Sequence, residues 1–368
     1  MKIGVLTSSR ADYGIYKPLL DDLKNDVFFQ LEIISFGTHL SKKYGYTISD
    51  IISDNYKVIH KVCEIGNDDS QKGVVQSYGS TILKFSEFWN NNKYDIVLCL
   101  GDRFEMSAAI QASIPFNVNL GHIHGGETTL GAIDNTYRHQ ITIASKYHFV
   151  STELNQSKVK ELTGIEKNIY NIGSLSLSEI ENFKPVNKND LFSNFKIPNA
   201  PFVLVTFHPE TIAIEKNNEF SVEMRKALEY LSRSINIVIT MPNADTLGSL
   251  YRKQLLSLKE SNINKVCLVE NFGKENYFSA MYYSRFLIGN TSSGIIEAAS
   301  FSKYVLNIGE RQKGRSQSNN TFNAIFTKSD IIENALKILS LGNYEEDNIY
   351  FKKGSSKQII NILKNERL

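Results

Sequence analysis

Carboxylate, histidine and glycine residues are concentrated in one stretch of the sequence, residues 119–140, which reads NLGHIHGGETTLGAIDNTYRHQ. Glu127 directly follows two adjacent glycines, and Asp134 opens a predicted helix. Adjacent glycines let the backbone approach a ligand closely, so a carboxylate beside them could act as a general acid or base. This density favours a catalytic role for both carboxylates, although Asp134 could also be the N-cap of its helix.

A third carboxylate, Asp102, follows the apolar run DIVLCLG and is followed by Arg103 and Glu105. Charged side chains therefore begin where a buried strand is predicted to end. Taken alone, Asp102 fits the N-cap of the next helix as well as it fits a catalytic group. Both interpretations stay open for this motif.

His122 and His124 could instead bind a metal ion. Residues i and i+2 of a strand share one face, so chelation by the two imidazoles with a nearby Glu is geometrically allowed. No further His or Cys stands at a fixed spacing from them, and carboxylates can transfer protons without a metal. We therefore predict no metal site.

Hydroxyl side chains open a predicted helix in the second half of the chain, in the motif FLIGNTSSGIIEAAS. Hydroxyls and free backbone N–H groups at a helix N-terminus bind phosphate, helped by the helix dipole. One Ser or Thr would suffice as an N-cap, whereas this motif contains Thr291, Ser292 and Ser293. Glu297 could accept both hydroxyls of a ribose, and Arg311 in NIGERQKGR could neutralise a diphosphate.

Two more candidates stand at predicted strand ends. Arg10 lies in the turn TSSRADYG, which lacks the GxGxxG fingerprint, so a dinucleotide cofactor is disfavoured. Its guanidinium could bind a phosphate or a sugar oxygen, or could simply cap a surface loop. His208 ends the run FVLVTFH and could face a ligand, or could hydrogen-bond to a loop carbonyl.

Short β-branched runs alternate with amphipathic stretches, a pattern typical of βα units and parallel sheets. Residues 1–178 are predicted to form one domain, with strands at Ile3–Thr7, Leu31–Ser35, Lys57–Val62, Ile96–Leu100, Asn117–Leu120, His148–Val150 and Ile169–Ile172. Residues 179–200, rich in Asn, Lys and Pro, are predicted to be a linker. Residues 201–350 are predicted to form a second domain, with strands at Phe202–Thr206, Ile235–Thr240, Lys265–Val269, Phe286–Ile288 and Val305–Asn307. Residues 351–368 are predicted to form a closing helix. The predicted fold class is α/β, with two Rossmann-like domains facing a central cleft where open sheets bind ligands.

Composition excludes several classes of partner. Lys plus Arg (41) nearly balance Asp plus Glu (39), so there is no overall field to hold nucleic acid or an anionic membrane. The 3 cysteines form no CxxC pair, which fits a reducing compartment. The first residues contain only one short apolar run, and no stretch is long enough to span a membrane. We expect a cytoplasmic protein.

The motifs SSRADYG, GDRFE, HIHGGETTLGAIDN, TFHPET, MPN, GNTSSGIIEA and NIGERQ occur in this order over nearly the whole chain. As an ordered set they resemble the hydrolysing UDP-N-acetylglucosamine 2-epimerases of sialic acid biosynthesis. The resemblance implies a glycosyltransferase-B-like fold, no cofactor, no essential metal and a homodimer or homotetramer. It implies that the catalytic residues are Asp102, Glu127, Asp134 and His208. It also implies that UDP is bound by Arg10, Arg103, Asn243, Thr291, Ser292, Ser293, Glu297 and Arg311, and that His208 contributes to UDP binding as well.

The implied reaction is elimination followed by hydration. A carboxylate takes the proton from carbon 2, UDP leaves from carbon 1, water adds to the intermediate, and carbon 2 is reprotonated on its other face. The same reaction on a UDP- or GDP-linked 2,4-diacetamido-2,4,6-trideoxyhexose, for legionaminic acid, is an alternative that the sequence hardly separates. A glycosyltransferase of the same fold and a catalytically silent nucleotide-sugar-binding protein are alternatives of other classes.

Overall fold

The computed structural model describes residues 1–66, 68, 70–242 and 248–366. The chain forms two compact units, each with its own parallel sheet. The first unit comprises Met1–Thr128, Asp134–Glu181 and Tyr350–Leu368, and the second comprises Thr129–Ile133 and Asn182–Ile349. None of the described helices is long and apolar enough to cross a membrane.

The first unit contains a parallel sheet of 7 strands with helices in the connections. Its strands are β1 (Lys2–Thr7), β2 (Gln30–Gly37), β3 (Ile59–Glu64), β4 (Ile96–Leu100), β5 (Leu120–Ile123), β6 (Tyr147–Val150) and β7 (Ile169–Asn171). The helices between them are α1 (Arg10–Asn25), α2 (Ile48–Ser53), α3 (Gln71–Asn91), α4 (Phe104–Ser113), α5 (Asp134–Ala144) and α6 (Glu153–Thr163). The strand order is β3-β2-β1-β4-β5-β6-β7, a doubly wound arrangement with its switch point beside β1.

The second unit contains a parallel sheet of 6 strands in the order β10-β9-β8-β11-β12-β13. Its strands are β8 (Phe202–Thr206), β9 (Asn236–Thr240), β10 (Val266–Val269), β11 (Leu287–Gly289), β12 (Val305–Ile308) and β13 (Thr321–Ala324). Its helices are α7 (Lys188–Asn194), α8 (Asn217–Leu231), α9 (Gly248–Ser261), α10 (Lys274–Tyr283), α11 (Ser292–Ile296) and α12 (Lys328–Leu339). A last helix, α13 (Ser355–Asn365), belongs to the first unit. The predicted α/β class with two Rossmann-like sheets is confirmed.

Both faces of the first sheet are buried at its central strands β1 and β4, which explains why these two strands read as nearly continuous apolar runs. Val5 and Leu98 belong to the core formed with α1 and α13. Their neighbours Leu6 and Val97 belong to the core on the other face, formed with α3 and α4. Because successive strand residues point to opposite faces, an apolar residue is needed at each of these positions. In β4 the charged residues therefore begin only beyond the strand end, at Asp102.

Strands β4 and β8 have the bounds predicted from the sequence, but the prediction for β5 is wrong. A strand was expected at residues 117–120, whereas β5 begins at Leu120. The preceding residues 114–116 form a 3₁₀ turn, which Asn117 ends in the left-handed conformation with φ 50°. This change places His122 inside the strand and His124 beyond its end. Strand β13 was not predicted, because its sequence TFNA lacks an apolar run.

The stretch expected to be a linker, residues 179–200, contains helix α7 and a 3₁₀ turn at Ile180–Asn182. Asn187 begins α7 by accepting a hydrogen bond from the N–H of Asn189 (2.9 Å), which is why Asn and Lys in this segment do not exclude a helix. The backbone N–H of Val186 donates to Ser279 Oγ at 3.0 Å, so the segment is tied to helix α10. The domain boundaries given above stay a prediction.

Candidate active site

Asp102 lies just beyond the carboxyl end of strand β4, in the turn that leads to helix α4. Gly101 turns the chain there with φ +84°, a conformation that glycine adopts without strain. Arg103, and not Asp102, occupies the N-cap position of the helix, so the cap interpretation of Asp102 is wrong. The Asp102 carboxylate, 26% exposed, instead forms an ion pair with Nη2 of Arg138.

Glu127 is almost completely buried, with 3% of its surface exposed. Gly126 precedes it with φ +74°, and a Cβ at this glycine would lie 2.5 Å from the carbonyl oxygen of Asn155. The glycine therefore lets the turn pack against helix α6. Ser151 Oγ donates a hydrogen bond to Glu127 Oε1 at 2.7 Å, and Arg138 Nη1 lies 3.7 Å from Oε2.

One buried guanidinium therefore connects two of the predicted catalytic carboxylates. Arg138 is 3% exposed, and it contacts Asp102 and Glu127 from helix α5. Charges removed from water need such pairing to be stable. Arg138 was not among the predicted site residues, although its i+4 spacing from Asp134 places both on one side of the helix. Asp134 is half-buried in the first turn of α5, one turn before Arg138.

His124 has a backbone conformation that is uncommon for a residue with a side chain, with φ +63°. Strand β5 ends at Ile123, so the expected same-face arrangement of the two histidines is wrong. The N–H of Leu175 donates to His124 Nε2 at 3.1 Å, and His124 Nδ1 lies 3.9 Å from Glu127 Oε1. Within the described part of the chain no three His, Cys, Asp or Glu side chains are grouped to hold a metal ion.

His122 is fully buried in β5 and hydrogen-bonds with both ring nitrogens. Its Nε2 lies 2.9 Å from the carbonyl oxygen of Gly101, and its Nδ1 lies 3.1 Å from Thr142 Oγ1. Burial lowers the pKa of His122 to about 3, so the imidazole is neutral at any pH near 7.

Two arginines lie at the N-termini of helices α1 and α4 of this unit. Arg10 is exposed as the first residue of α1, whose capping box is formed by Ser9 and Asp12. Arg103 is 44% exposed, and its Nε lies 2.5 Å from Oε1 of the buried Glu105. The Glu105 carboxylate raises the pKa of Arg103 far above its usual range. The Arg103 guanidinium is thus anchored to the protein while part of it stays in contact with solvent.

His208 follows β8 in the second unit, and its backbone is held by one side chain. Asn290 Oδ1 accepts a hydrogen bond from the His208 N–H, and Asn290 Nδ2 donates to the His208 carbonyl, both at 2.8 Å. Gln312 Nε2 in turn donates to the Asn290 carbonyl at 2.9 Å. Asn290 and Gln312 were not predicted as site residues, because amide side chains give no sequence pattern that marks such a contact.

Arg311 lies in the turn after β12, and a buried carboxylate shapes that turn. Glu210 Oε1 accepts hydrogen bonds from the backbone N–H groups of Glu310 and Arg311, each at 3.2 Å. Arg311 Nη1 donates to the carbonyl of Pro209 at 3.0 Å. Burial raises the pKa of Glu210. The arrangement holds Arg311 beside the segment that carries His208.

The hydroxyl-rich turn after β11 contains one cap and two further serines. Thr291 is the N-cap and accepts a hydrogen bond from the Ser293 N–H at 3.4 Å. Ser292 is exposed, Ser293 is half-buried and Glu297 is 7% exposed. Helix α11 has only 5 residues, so its dipole is smaller than that of a long helix. The remaining predicted UDP residue, Asn243, lies outside the described residues.

Comparison with known proteins gives consistent matches. A family model described as UDP-N-acetylglucosamine 2-epimerase matches residues 21–364. The chain is 35% identical to the Escherichia coli polysialic acid biosynthesis protein P7, over 99% of this chain and 93% of that protein. It is 33% identical to the Campylobacter jejuni GDP/UDP-N,N'-diacetylbacillosamine 2-epimerase (hydrolyzing), over 87% of this chain and 83% of that protein.

Among solved structures, the Neisseria meningitidis UDP-GlcNAc 2-epimerase bound to UDP-GlcNAc has a similar fold. The TM-score is 0.83 at 18% sequence identity, and the match covers 100% of both chains. At this identity the likeness shows a common fold. Because the family model covers most of the sequence and two relatives exceed 30% identity over most of its length, the chain belongs to the UDP-N-acetylglucosamine 2-epimerase family.

Proposed function

We propose that this chain is a hydrolysing 2-epimerase, which converts UDP-N-acetylglucosamine to N-acetylmannosamine and UDP. The observation that carries the proposal is the pair of carboxylates, Asp102 and the buried Glu127, held on the single guanidinium of Arg138. Acid–base groups fixed in a partly dehydrated site are what proton removal and return at carbon 2 require.

In the proposed reaction, Asp102, Glu127 and Asp134 share the proton transfers. One carboxylate removes the proton from carbon 2 while the carbon 1–oxygen bond to UDP breaks. Water then adds to carbon 1 of the unsaturated intermediate, and a second carboxyl group protonates carbon 2 on the opposite face. The proton on carbon 2 is only weakly acidic, so departure of UDP must be well advanced when that proton is removed.

The proposed nucleotide-binding residues must therefore stabilise negative charge on the leaving diphosphate. In the second unit these residues are His208, Asn243, Thr291, Ser292, Ser293, Glu297 and Arg311, and in the first unit they are Arg10 and Arg103. The exposed Ser292 hydroxyl and the anchored Arg311 guanidinium support this role. We assign the ribose hydroxyls to Glu297, because a buried carboxylate gains most from accepting two hydrogen bonds.

A second candidate substrate has specific support. The Campylobacter jejuni relative is named for a GDP- or UDP-linked N,N'-diacetylbacillosamine, and its identity to this chain is close to that of the Escherichia coli relative. The same elimination would apply to this sugar, because its carbon 2 also carries an acetamido group. The two candidates differ in the substituents at carbons 4 and 6 and, when the second sugar is linked to GDP, also in the nucleotide.

The experiment is to incubate the purified protein with UDP-N-acetylglucosamine, and separately with UDP- and GDP-N,N'-diacetylbacillosamine, without an acceptor. Release of nucleotide together with a free sugar inverted at carbon 2 supports a hydrolysing epimerase, and the preferred substrate is the one with the highest kcat/KM. In heavy water the product should carry one deuterium at carbon 2, and in ¹⁸O-water the label should enter carbon 1 and not the nucleotide.

The outcomes separate the competing functions. Intact substrate in every incubation contradicts the proposal and favours a glycosyltransferase or a binding protein. Nucleotide release with protium and the original configuration at carbon 2 indicates a simple nucleotide-sugar hydrolase. Epimerisation without nucleotide release contradicts the hydrolysing step alone.

A further inference from the structure

His122 lies where the three segments that carry the acid–base residues meet. Its Nε2 contacts the carbonyl of Gly101, the residue before Asp102, at 2.9 Å. Its Nδ1 contacts Thr142 Oγ1 at 3.1 Å, and Thr142 stands one turn after Arg138 on helix α5. A Cβ at Gly125, in the turn before Glu127, would lie 2.8 Å from His122 Nδ1.

The hydrogen bonds around the ring determine its tautomer. A carbonyl oxygen can only accept, so His122 Nε2 must carry the hydrogen that is donated to Gly101. In the neutral ring Nδ1 is then an acceptor for the Thr142 hydroxyl, whose single proton is shared between Nδ1 and the Arg138 carbonyl oxygen, 2.9 Å from Oγ1. The oxygen of that hydroxyl accepts a hydrogen bond from the Gly126 N–H at 3.4 Å. The imidazole is thus bonded to the Asp102 turn on one side and, through Thr142, to the Glu127 turn and α5 on the other.

We propose that His122 is a positioning residue for the acid–base group. As the neutral Nε2–H tautomer it holds the Gly101 turn, the Gly125–Gly126 turn and helix α5 in one arrangement, so that Asp102 and Glu127 both reach Arg138. The inference rests on the acid–base function proposed above. His122 touches neither carboxylate in this arrangement and acts through the backbone that carries them.

The strand beside His122 provides a matched control. His148 stands opposite His122 in the register of β5 and β6, and it is also fully buried. Burial lowers the pKa of His148 to about 4, so both rings are neutral near pH 7. Over the described residues the His148 ring has no side-chain hydrogen bond to the turns around Asp102 and Glu127. Replacing His148 therefore tests the loss of a buried sheet histidine without the loss of this connection.

The activity test compares His122→Phe, His122→Gln and His148→Phe, using the substrate that the wild type turns over. The amide nitrogen of Gln can occupy the place of Nε2 and donate to Gly101, whereas Phe can make neither bond. We expect kcat to fall about 10–100-fold in His122→Phe, because small displacements of catalytic groups have effects of this size. We expect less than about 10-fold in His122→Gln and less than about 3-fold in His148→Phe, with UDP affinity within 2-fold of wild type in all of them.

The inference would be overturned if kcat fell equally in the two Phe variants, or if UDP affinity fell together with kcat in His122→Phe. General damage to the sheet would explain either result. No rescue by Gln relative to Phe would also count against it.

A measurement without substrate separates this inference from the proposed function. ¹⁵N NMR of the wild type should find His122 protonated at Nε2 only, and unchanged from pH 8 to about pH 5. The ¹⁵N resonances of the Arg138 guanidinium, which contacts both carboxylates, should shift in His122→Phe but not in His148→Phe. An Nδ1–H tautomer, or unchanged Arg138 resonances in His122→Phe, would refute the positioning role even if the enzyme is active. An inactive wild type with the expected NMR result would instead reject the proposed function alone.

Discussion

Removing the Arg138 guanidinium is the most direct test of the paired carboxylates. In Arg138→Met the buried Glu127 loses a cation whose Nη1 lies 3.7 Å from Oε2. Coulomb's law with an effective dielectric constant of about 20 gives an attraction of about 4 kcal/mol at this distance. Asp102 is partly exposed and loses less, because water screens its charge.

We therefore expect the free energy of unfolding of the first unit at pH 8 to fall by about 3–5 kcal/mol in Arg138→Met, the usual cost of leaving one buried charge unpaired. A second substitution, Glu127→Gln, should restore about 2 kcal/mol or more of this loss, because the unpaired charge is then gone. Arg138→Lys, which keeps a charge but not the planar fork, should lie between the wild type and Arg138→Met.

The sign of the pH dependence follows from the same charge. An unpaired buried carboxylate has a pKa above that of the unfolded chain, so it destabilises the protein at high pH. As the pH falls the carboxylate takes up a proton in the folded state, and the destabilisation of Arg138→Met should shrink between pH 8 and pH 5. The double variant should lack this trend.

The assay is urea unfolding followed by the fluorescence of Trp89. The sequence contains 1 Trp, and this side chain is fully buried in helix α3 of the first unit, so its signal reports on that unit. A coupling energy below about 0.5 kcal/mol between the two substitutions, within the error of additivity, would refute the charge pairing described here.

Three further outcomes follow from the site. Asp102→Asn or Glu127→Gln should lower kcat by about 100-fold or more and leave UDP affinity, measured by calorimetry, within a few-fold; near-normal turnover in both variants would reject the acid–base assignment. Ser292→Ala combined with Glu297→Gln should do the reverse and weaken UDP binding by about 1–3 kcal/mol per lost hydrogen bond, whereas unchanged affinity would leave this turn as a helix cap only. Burial lowers the pKa of His122 to about 3, whereas an unfolded histidine has a pKa of about 6.5. Between these two pH values the unfolded chain therefore binds more protons than the folded chain. The free energy of unfolding of the wild type should therefore fall as the pH decreases in that range, and this fall should be smaller in His122→Phe. Urea unfolding at pH 7 and pH 4.5 measures the difference; an equal fall in both proteins would mean that His122 does not stay neutral when folded.

Much of the architecture can be predicted from the sequence because it depends on local patterns. The runs that form β4 and β8 are apolar at each position and end on polar residues or glycine, so their bounds follow directly from burial on both sheet faces. Strand β5 was misplaced because an Asn in the left-handed conformation ends a 3₁₀ turn there, and such a conformation depends on the surrounding chain.

The residue types of the candidate site were also evident in the sequence, since glycines, carboxylates and hydroxyls follow predicted strand ends. Their contacts were not. Asp102 could equally have capped helix α4, and only the packing of α5 beside the β4 turn brings Arg138 to it. The paired glycines before Glu127 predicted a close approach to a ligand, but their close neighbours belong to the protein itself: helix α6 for Gly126 and the His122 ring for Gly125.

The sequence by itself determined the alternation of strands and helices, the apolar faces of the two sheets and the positions at which polar groups leave them. Only the tertiary structure decided which of those groups meet. Arg138 joins Asp102 and Glu127, His122 connects the turns that carry them, and Asn290 holds the backbone of His208. The reason is physical: burial and hydrogen-bond periodicity act between neighbours in the chain, whereas an ion pair or a side-chain bridge depends on distances set by packing of segments far apart in sequence.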